Sequence, residues 1–248
     1  MGKLDGKVAI VTGGGSGIGK AIAEIFAREG CAVVIAARTV DRLESAAEEL
    51  RKATGSEVVP IPTDVGIEAQ VKALFEETMD RFGRLDILVN SSGAFDGGPI
   101  DEISLEAWNR VMAANITGPF LCTREAFAIM KDAGGGRIVN IGSISGQRPR
   151  KYSSPYATTK HAIWGLTKST SLDGREFGIA ASCLHPGNTL VERRADGRAS
   201  AGWDEGGEPM MSTDEVARAA LLMVTLPSEA NMLEAIVLPV QQKYLGRG

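Results

Sequence analysis

Excess charge of one sign, cysteines and long apolar runs are all scarce in this chain, and each scarcity removes a class of function. The 27 basic and 31 acidic residues are interspersed and leave a net charge of −4 over 248 residues. Such a balance offers no field suited to nucleic acid or to an anionic membrane surface. The run "RPRK", Arg148 to Lys151, is a local exception. It reads first as a solvated loop and second as an anion site beside a substrate. Cys31, Cys122 and Cys183 lie far apart in apolar segments, with no CxxC spacing. Neither a disulfide framework nor a zinc or other metal site is expected; they read as small core residues in a reducing compartment. No apolar run approaches the length that spans a bilayer. The opening "MGKLDGKVAIVTGGG" runs into a strand and a glycine loop without a signal-peptide profile, so a cytoplasmic protein is expected.

What is present is a strict alternation. The short β-branched runs "KVAIV", "AVVIAA", "EVVPI", "DILVN", "RIVNI", "IAASCL" and "EAIVLP" alternate with helical patterns such as "GIGKAIAEIFAREG" and "EAQVKALFEETMDRFG". The strand runs are almost continuously apolar, as strands covered on both faces must be. The expectation is an α/β fold: one domain over 1–248, a doubly wound parallel sheet of about seven strands with helices on both faces. The segment from Asn188 to Ser212 breaks the rhythm, being rich in glycine and charge. A loop of that length after a strand end is expected to be a substrate lid, with Trp203 and Met210 as apolar contacts.

After the first strand run comes "TGGGSGIGKAIA", Thr12 to Ala23. Gly13, Gly17 and Gly19 sit where a strand must turn sharply into a helix, and Gly15, Ser16 and Ile18 share the loop. Glycine there permits positive φ and close approach of a ligand, and the following helix aims free N–H groups at the same place. At the first strand–helix junction of an α/β chain, this points to a dinucleotide. Arg38 directly follows the second strand, whereas the nearby acid, Asp41, falls in the first turn of the next helix. A basic residue at that place accommodates a 2′-phosphate, so NADP(H) is favoured and NAD(H) stays open.

"SSPYATTKHA" places Lys160 four residues after Tyr156, one helical turn away, a spacing that Tyr152 and Tyr244 lack. Together with "TGGGSGIG", "NSSG" at Asn90 to Gly93, "AANITGPF" around Asn115, "IVNIGSISG" around Ser143 and "HPG" at His185 to Gly187, this pair resembles the ordered motifs of the short-chain dehydrogenase/reductase family. The match runs from about Val8 to Gly187, and Ser143 precedes Tyr156 by thirteen residues, as the family's serine does. The resemblance implies a Rossmann-like fold and a catalytic tetrad of Asn115, Ser143, Tyr156 and Lys160.

The residue types suit hydride exchange between a nicotinamide and a carbonyl, which also requires one proton at oxygen. An isolated phenol, titrating near ~10, is a poor base at neutral pH, and a neighbouring ammonium favours a phenolate. A serine hydroxyl stabilises a developing alkoxide. The resemblance further gives Asn115 a water that passes protons to Lys160. It gives cofactor contacts to Tyr156, Lys160, Asp64 and Val65 in "TDVG", Asn90, Gly93, Pro186, Gly187 and Thr189. "NSSG" stands where the family usually has "NNAG", and the chain ends in "EAIVLPVQQKYLGRG" in place of a strand and "DGG".

The expected function is an oxidoreductase interconverting an alcohol and a ketone or aldehyde. A nucleotide-sensing protein that lost turnover is the alternative, opposed by the intact tetrad. The helical patterns from about Ser104 to Ala133 and Pro155 to Phe177 carry Trp108, Phe120 and Trp164 on more than one face. With the family resemblance, this implies a homotetramer.

Overall fold

The structure is a computed structural model and describes residues 2–191 and 208–245. Each of the seven apolar runs forms a strand: β1 (Val8–Thr12), β2 (Ala32–Ala37), β3 (Val58–Pro62), β4 (Ile87–Asn90), β5 (Gly136–Ile141), β6 (Ile179–Pro186) and β7 (Glu234–Val237). They make one sheet in the order β3-β2-β1-β4-β5-β6-β7, with every neighbouring pair parallel. Pro60 and Pro62 fall in β3, an edge strand, where a missing N–H interrupts no interior ladder.

Among the described residues the α-helices are α1 (Gly17–Arg28), α2 (Val40–Thr54), α3 (Glu68–Phe82), α4 (Leu105–Met112), α5 (Gly118–Asp132), α6 (Ser154–Asp173) and α7 (Thr213–Val224). Strand residues alternate between two cores. Ala9, Val11, Val33 and Ile35 pack with Ile22 and Phe26 of α1, Leu43 of α2 and Val216 of α7. Ile10, Val34 and Ala36 pack on the other side with Leu74 and Phe75 of α3 and Leu121 and Met130 of α5. Because both faces of the inner strands are covered, most of their residues on either face are apolar, which is why the runs read as nearly continuous.

The pattern from Ser104 to Ala133 is not one helix. Residues Ala113–Thr117 form a π turn between α4 and α5, with the Gly118 N–H donating to the Ala113 carbonyl. The cause lies two residues beyond the turn. Pro119 has no N–H for the Asn115 carbonyl, so the α ladder cannot pass through this point, and the wider turn places the Asn115 side chain inside.

The segment 188–212 is described only at its two ends. There Thr189 bridges Met211, and Met211 N donates to Asn188 O at 2.9 Å. Trp203 lies outside the described residues. Among the described residues no helix is long and apolar enough to cross a membrane.

Candidate active site

The sheet order reverses between β1 and β4, and in open α/β sheets the crevice at the carboxyl ends beside that reversal is where ligands bind. A cleft of about 360 Å³ opens there. Gly13, Ser16, Ile18 and Gly19 line one side, residues 91–95 the back, and Ser143, Tyr156, Lys160, Pro186, Gly187 and Thr189 the other side.

The glycine loop is built by close approach. Gly13 has φ +70°, and a Cβ on it would lie 2.8 Å from the Ser91 carbonyl oxygen. A Cβ on Gly19 would lie 2.4 Å from the Gly13 carbonyl oxygen, so a side chain there would force α1 off the loop. Thr12 fastens this loop to the far wall, its Oγ1 accepting from Ser91 N and Ser92 N at 3.1 Å. Ser16 precedes α1 without capping it through its side chain, and the first turn of α1 carries no acid. The helix therefore turns its positive dipole end to the cleft without an acid of its own in the first turn, which fits a pyrophosphate. Gly17, with φ +55°, starts α1, and a Cβ on Gly15 would meet Leu43 and Ala37 only at ordinary contact distances. These two lie outside the cleft lining.

At the rim, Arg38 follows β2 and Asp64 follows β3, with Arg38 Nη1 3.9 Å from Asp64 Oδ2. The Arg38 side chain is 66% exposed, and Asp64 Oδ1 also accepts from Gly66 N at 2.9 Å. Val65 is buried against Gly118 and does not reach the cleft. Asn90 also departs from its expected loop position. It ends β4 inside the core, its Nδ2 donating to Asn140 Oδ1 at 2.8 Å and Thr123 Oγ1 at 3.2 Å, and Asn140 continues to Thr167 Oγ1 at 2.9 Å. Gly93 does line the cleft. The pairing of β4 with β5 and the packing of α5 supply the two acceptors for Nδ2, whereas Asn90 Oδ1 is buried with no hydrogen-bond partner among the described residues.

Ser143, Tyr156 and Lys160 come together on one wall. Ser143 ends the β5 turn, and its Oγ accepts from Ser145 N at 3.1 Å. The Tyr156 ring leans on Phe95, centroids 5.3 Å apart, and Lys160 Nζ lies 5.5 Å from the Tyr156 ring centroid. Lys160 is buried, and Nζ donates to the Ile141 carbonyl at 2.7 Å. Asn115 stands behind this wall. Its Oδ1 accepts from Ala94 N at 2.7 Å, and its Nδ2 donates to Ala94 O at 2.9 Å and Thr159 Oγ1 at 3.1 Å. The carboxamide thus clips the 91–95 wall to α6.

His185 supports the Ser143 turn from below. It is fully buried, with Nδ1 3.3 Å from Ser143 N and 3.0 Å from Ser143 O, and its ring meets Trp164 edge-on. Its Nε2 lies 3.3 Å from Glu234 Oε1, near enough for Coulomb attraction but out of line for a hydrogen bond. Burial holds the imidazole below its usual value, although Ser143 and Glu234 pull it back up. The three cysteines are free and buried, and burial pushes each thiol up to about 12, which keeps them neutral and inert.

The "RPRK" loop resolves into pairings. Arg148 stacks on Tyr244 at 5.1 Å, whereas Arg150 lines the cleft and donates through Nη2 to Glu208 Oε2 at 2.9 Å and Asn188 Oδ1 at 3.0 Å. Thr189 donates its hydroxyl to the Gly187 carbonyl at 3.1 Å. Sequence reasoning missed Thr12, His185, Asn188 and Glu208 as site residues. Thr12 and His185 stand in quoted motifs and Asn188 and Glu208 in the 188–212 segment, but the role of each depends on a partner between 20 and 80 positions away.

A parallel sheet with a glycine-lined cleft at its reversal, faced by a serine, a tyrosine and a lysine, defines the class of dinucleotide-dependent α/β oxidoreductases. The chain belongs to the short-chain dehydrogenase family, whose model matches residues 7–201. It is 32% identical over 237 residues to an uncharacterized oxidoreductase of Staphylococcus aureus strain N315, covering 96% of this chain and 99% of that one. A further uncharacterized oxidoreductase, of Staphylococcus saprophyticus, is 33% identical over 240 residues, 97% of this chain and all of that one. Among solved structures, L-sorbose reductase of Gluconobacter frateurii, complexed with NADPH and L-sorbose, superposes with a TM-score of 0.89 at 30% identity, covering 99% and 100% of the two chains. An alcohol dehydrogenase of the archaeon Thermococcus sibiricus, complexed with 5-hydroxy-NADP, gives 0.83 at 28% identity over 95% and 97%.

Proposed function

We propose that this protein is an NADP(H)-dependent oxidoreductase that interconverts an alcohol and a ketone or aldehyde through Tyr156, Lys160, Ser143 and Asn115. The observation that carries the reading is the shared wall: Lys160 beside the Tyr156 ring, with Ser143 lining the same cleft as the glycine loop. When bound, the nicotinamide supplies or takes the hydride. The pyrophosphate would rest on the α1 N-terminus between Gly13 and Gly19, and the 2′-phosphate would meet Arg38 at the rim. The NADP ligands of the two structural relatives support that choice.

Tyr156 exchanges the proton with the substrate oxygen, and the Lys160 ammonium stabilises the charge left on the phenol. Ser143 holds the substrate oxygen, its turn braced by His185. Asn115 keeps the Ala94 wall and α6 in fixed relation, so the distance between substrate pocket and Tyr156 is set by packing. The single 1–248 domain with segment 188–212 as a lid belongs to the same reading, as does assembly into a homotetramer. The exposed Leu105, Phe120 and Leu172 on α4–α6 support the assembly. Three buried free thiols support a reducing, cytoplasmic setting.

The test is a panel of ketones, aldehydes and alcohols followed by absorbance with NADPH or NADH. Turnover is expected with NADPH preferred, and Tyr156→Phe is expected to lose at least about a thousandfold in kcat while cofactor affinity holds. Near-native turnover in Tyr156→Phe would refute the relay.

A further inference from the structure

Arg150 and Lys160 are the only charged residues among the described residues that line the cleft, and both are cations. A cleft with two cations and no acid in its lining should draw in carboxylates, so keto acids and hydroxy acids look like the natural substrates. The position of one cation and the pairing of the other point the other way. Lys160 is buried and donates a hydrogen bond to the Ile141 carbonyl beside Tyr156. Arg150 stands at the other end of the wall, next to Ser153 and Asn188, and its Nη2 is taken by Glu208 Oε2 and Asn188 Oδ1. The Asn188 amide completes the triangle, its Nδ2 donating to the same Glu208 oxygen at 2.5 Å. Asn188 is itself held, its N–H donating to Gln242 Oε1 at 2.9 Å.

We propose that Glu208, by neutralising Arg150, makes the enzyme select uncharged carbonyl compounds and alcohols over those carrying a carboxylate. A carboxylate reaching Arg150 must displace Glu208 or sit beside a like charge, whereas a neutral substrate disturbs nothing. This is selection by a repulsive element placed behind an attractive one. The remaining polar lining toward this end is hydroxyl, from Ser145, Ser153 and Thr189, which suits neutral hydroxylated molecules. The inference rests on the oxidoreductase reading but concerns only the charge of what enters.

The experiment uses two carbonyl compounds of similar size, hydroxyacetone and pyruvate, with NADPH and the full-length chain. The native protein is expected to favour hydroxyacetone in kcat/KM. Glu208→Gln keeps the acceptor oxygen for Arg150 and Asn188 but removes the charge, and should lower the hydroxyacetone-to-pyruvate ratio on the order of tenfold. Arg150→Gln removes the cation at this end of the wall and keeps the Glu208 carboxylate, and should raise the ratio. Opposite shifts from two changes in one contact separate a charge effect from general damage. A native preference for pyruvate, an unchanged ratio in Glu208→Gln, or shifts of the same sign in both variants would overturn the proposal. A second readout needs no turnover: NMR titration of propionate and propionamide against the native and Glu208→Gln proteins. Propionate should gain affinity relative to propionamide in the variant, and equal relative affinity overturns the proposal. Absence of all turnover with a shifted propionate affinity would sink the oxidoreductase reading and leave this one standing.

Discussion

Arg38 stands one residue past β2, exposed at the rim and 3.9 Å from Asp64, so its guanidinium is loosely held and available to a phosphate. Its worth therefore lies in what it binds, since an exposed pair of this kind adds little to stability. Arg38→Ala is expected to raise KM for NADPH by about tenfold or more, with a much smaller change for NADH and an unchanged melting temperature. Parallel losses with both cofactors would remove Arg38 from the 2′-phosphate site. Its place directly after β2 was legible in the sequence because a strand end is a fixed place in this architecture. Asn90 was not, because nothing local distinguishes an amide facing a loop from one facing Asn140 across the sheet.

The strands are tied at the end opposite the cleft by one carboxylate. Asp86 accepts from Val8 N at 2.9 Å, Lys7 Nζ at 3.0 Å and Arg84 Nη2 at 2.6 Å, joining β1 to β4 at their starts. Burial pushes this carboxyl up, but the bonds from Arg84, Val8 and Lys7 outweigh it and hold the group below the usual 3.8. A depressed carboxylate contributes stability above its unfolded value, and that contribution is lost as pH falls through the folded one. Asp86→Asn is expected to cost about 1.5–3 kcal/mol in urea unfolding near neutral pH, less in acid, with the KM for cofactor unchanged. An equal cost at pH 7 and pH 3 would show that the charge contributes nothing. Helix existence was legible from periodicity. The break at Ala113–Thr117 became a π turn only through Pro119 and the internal claim on Asn115.

Across the whole molecule, the C-terminal strand and the wall that carries Ser143 and Lys160 meet at His185. Ser143, Trp164, Glu234 and Lys160 surround it, and Glu234 in turn accepts from Gln147 Nε2 at 2.7 Å. Burial depresses the imidazole, so the folded chain resists the proton that the unfolded chain takes up near 6.5. Between those two values the unfolded state holds more protons, and stability falls as pH drops below about 6.5. The urea midpoint at fixed protein concentration should therefore decline from pH 7.5 to pH 5, and His185→Asn should flatten that slope. An identical slope in the variant would assign the decline to other groups.

Taken alone, the sequence determined the seven strands, the parallel sheet, the glycine loop and the family, because period, turn chemistry and motif spacing are local quantities that packing on both faces preserves. It could not determine where side chains with distant partners point. The tertiary structure alone decided that Asn90 serves the core, that the Asn115 carboxamide clips two walls, that His185 braces Ser143 and that Arg150 is answered by Glu208. A polar group's role depends on which partner lies within about 3 Å, and that distance exists only after the chain has folded.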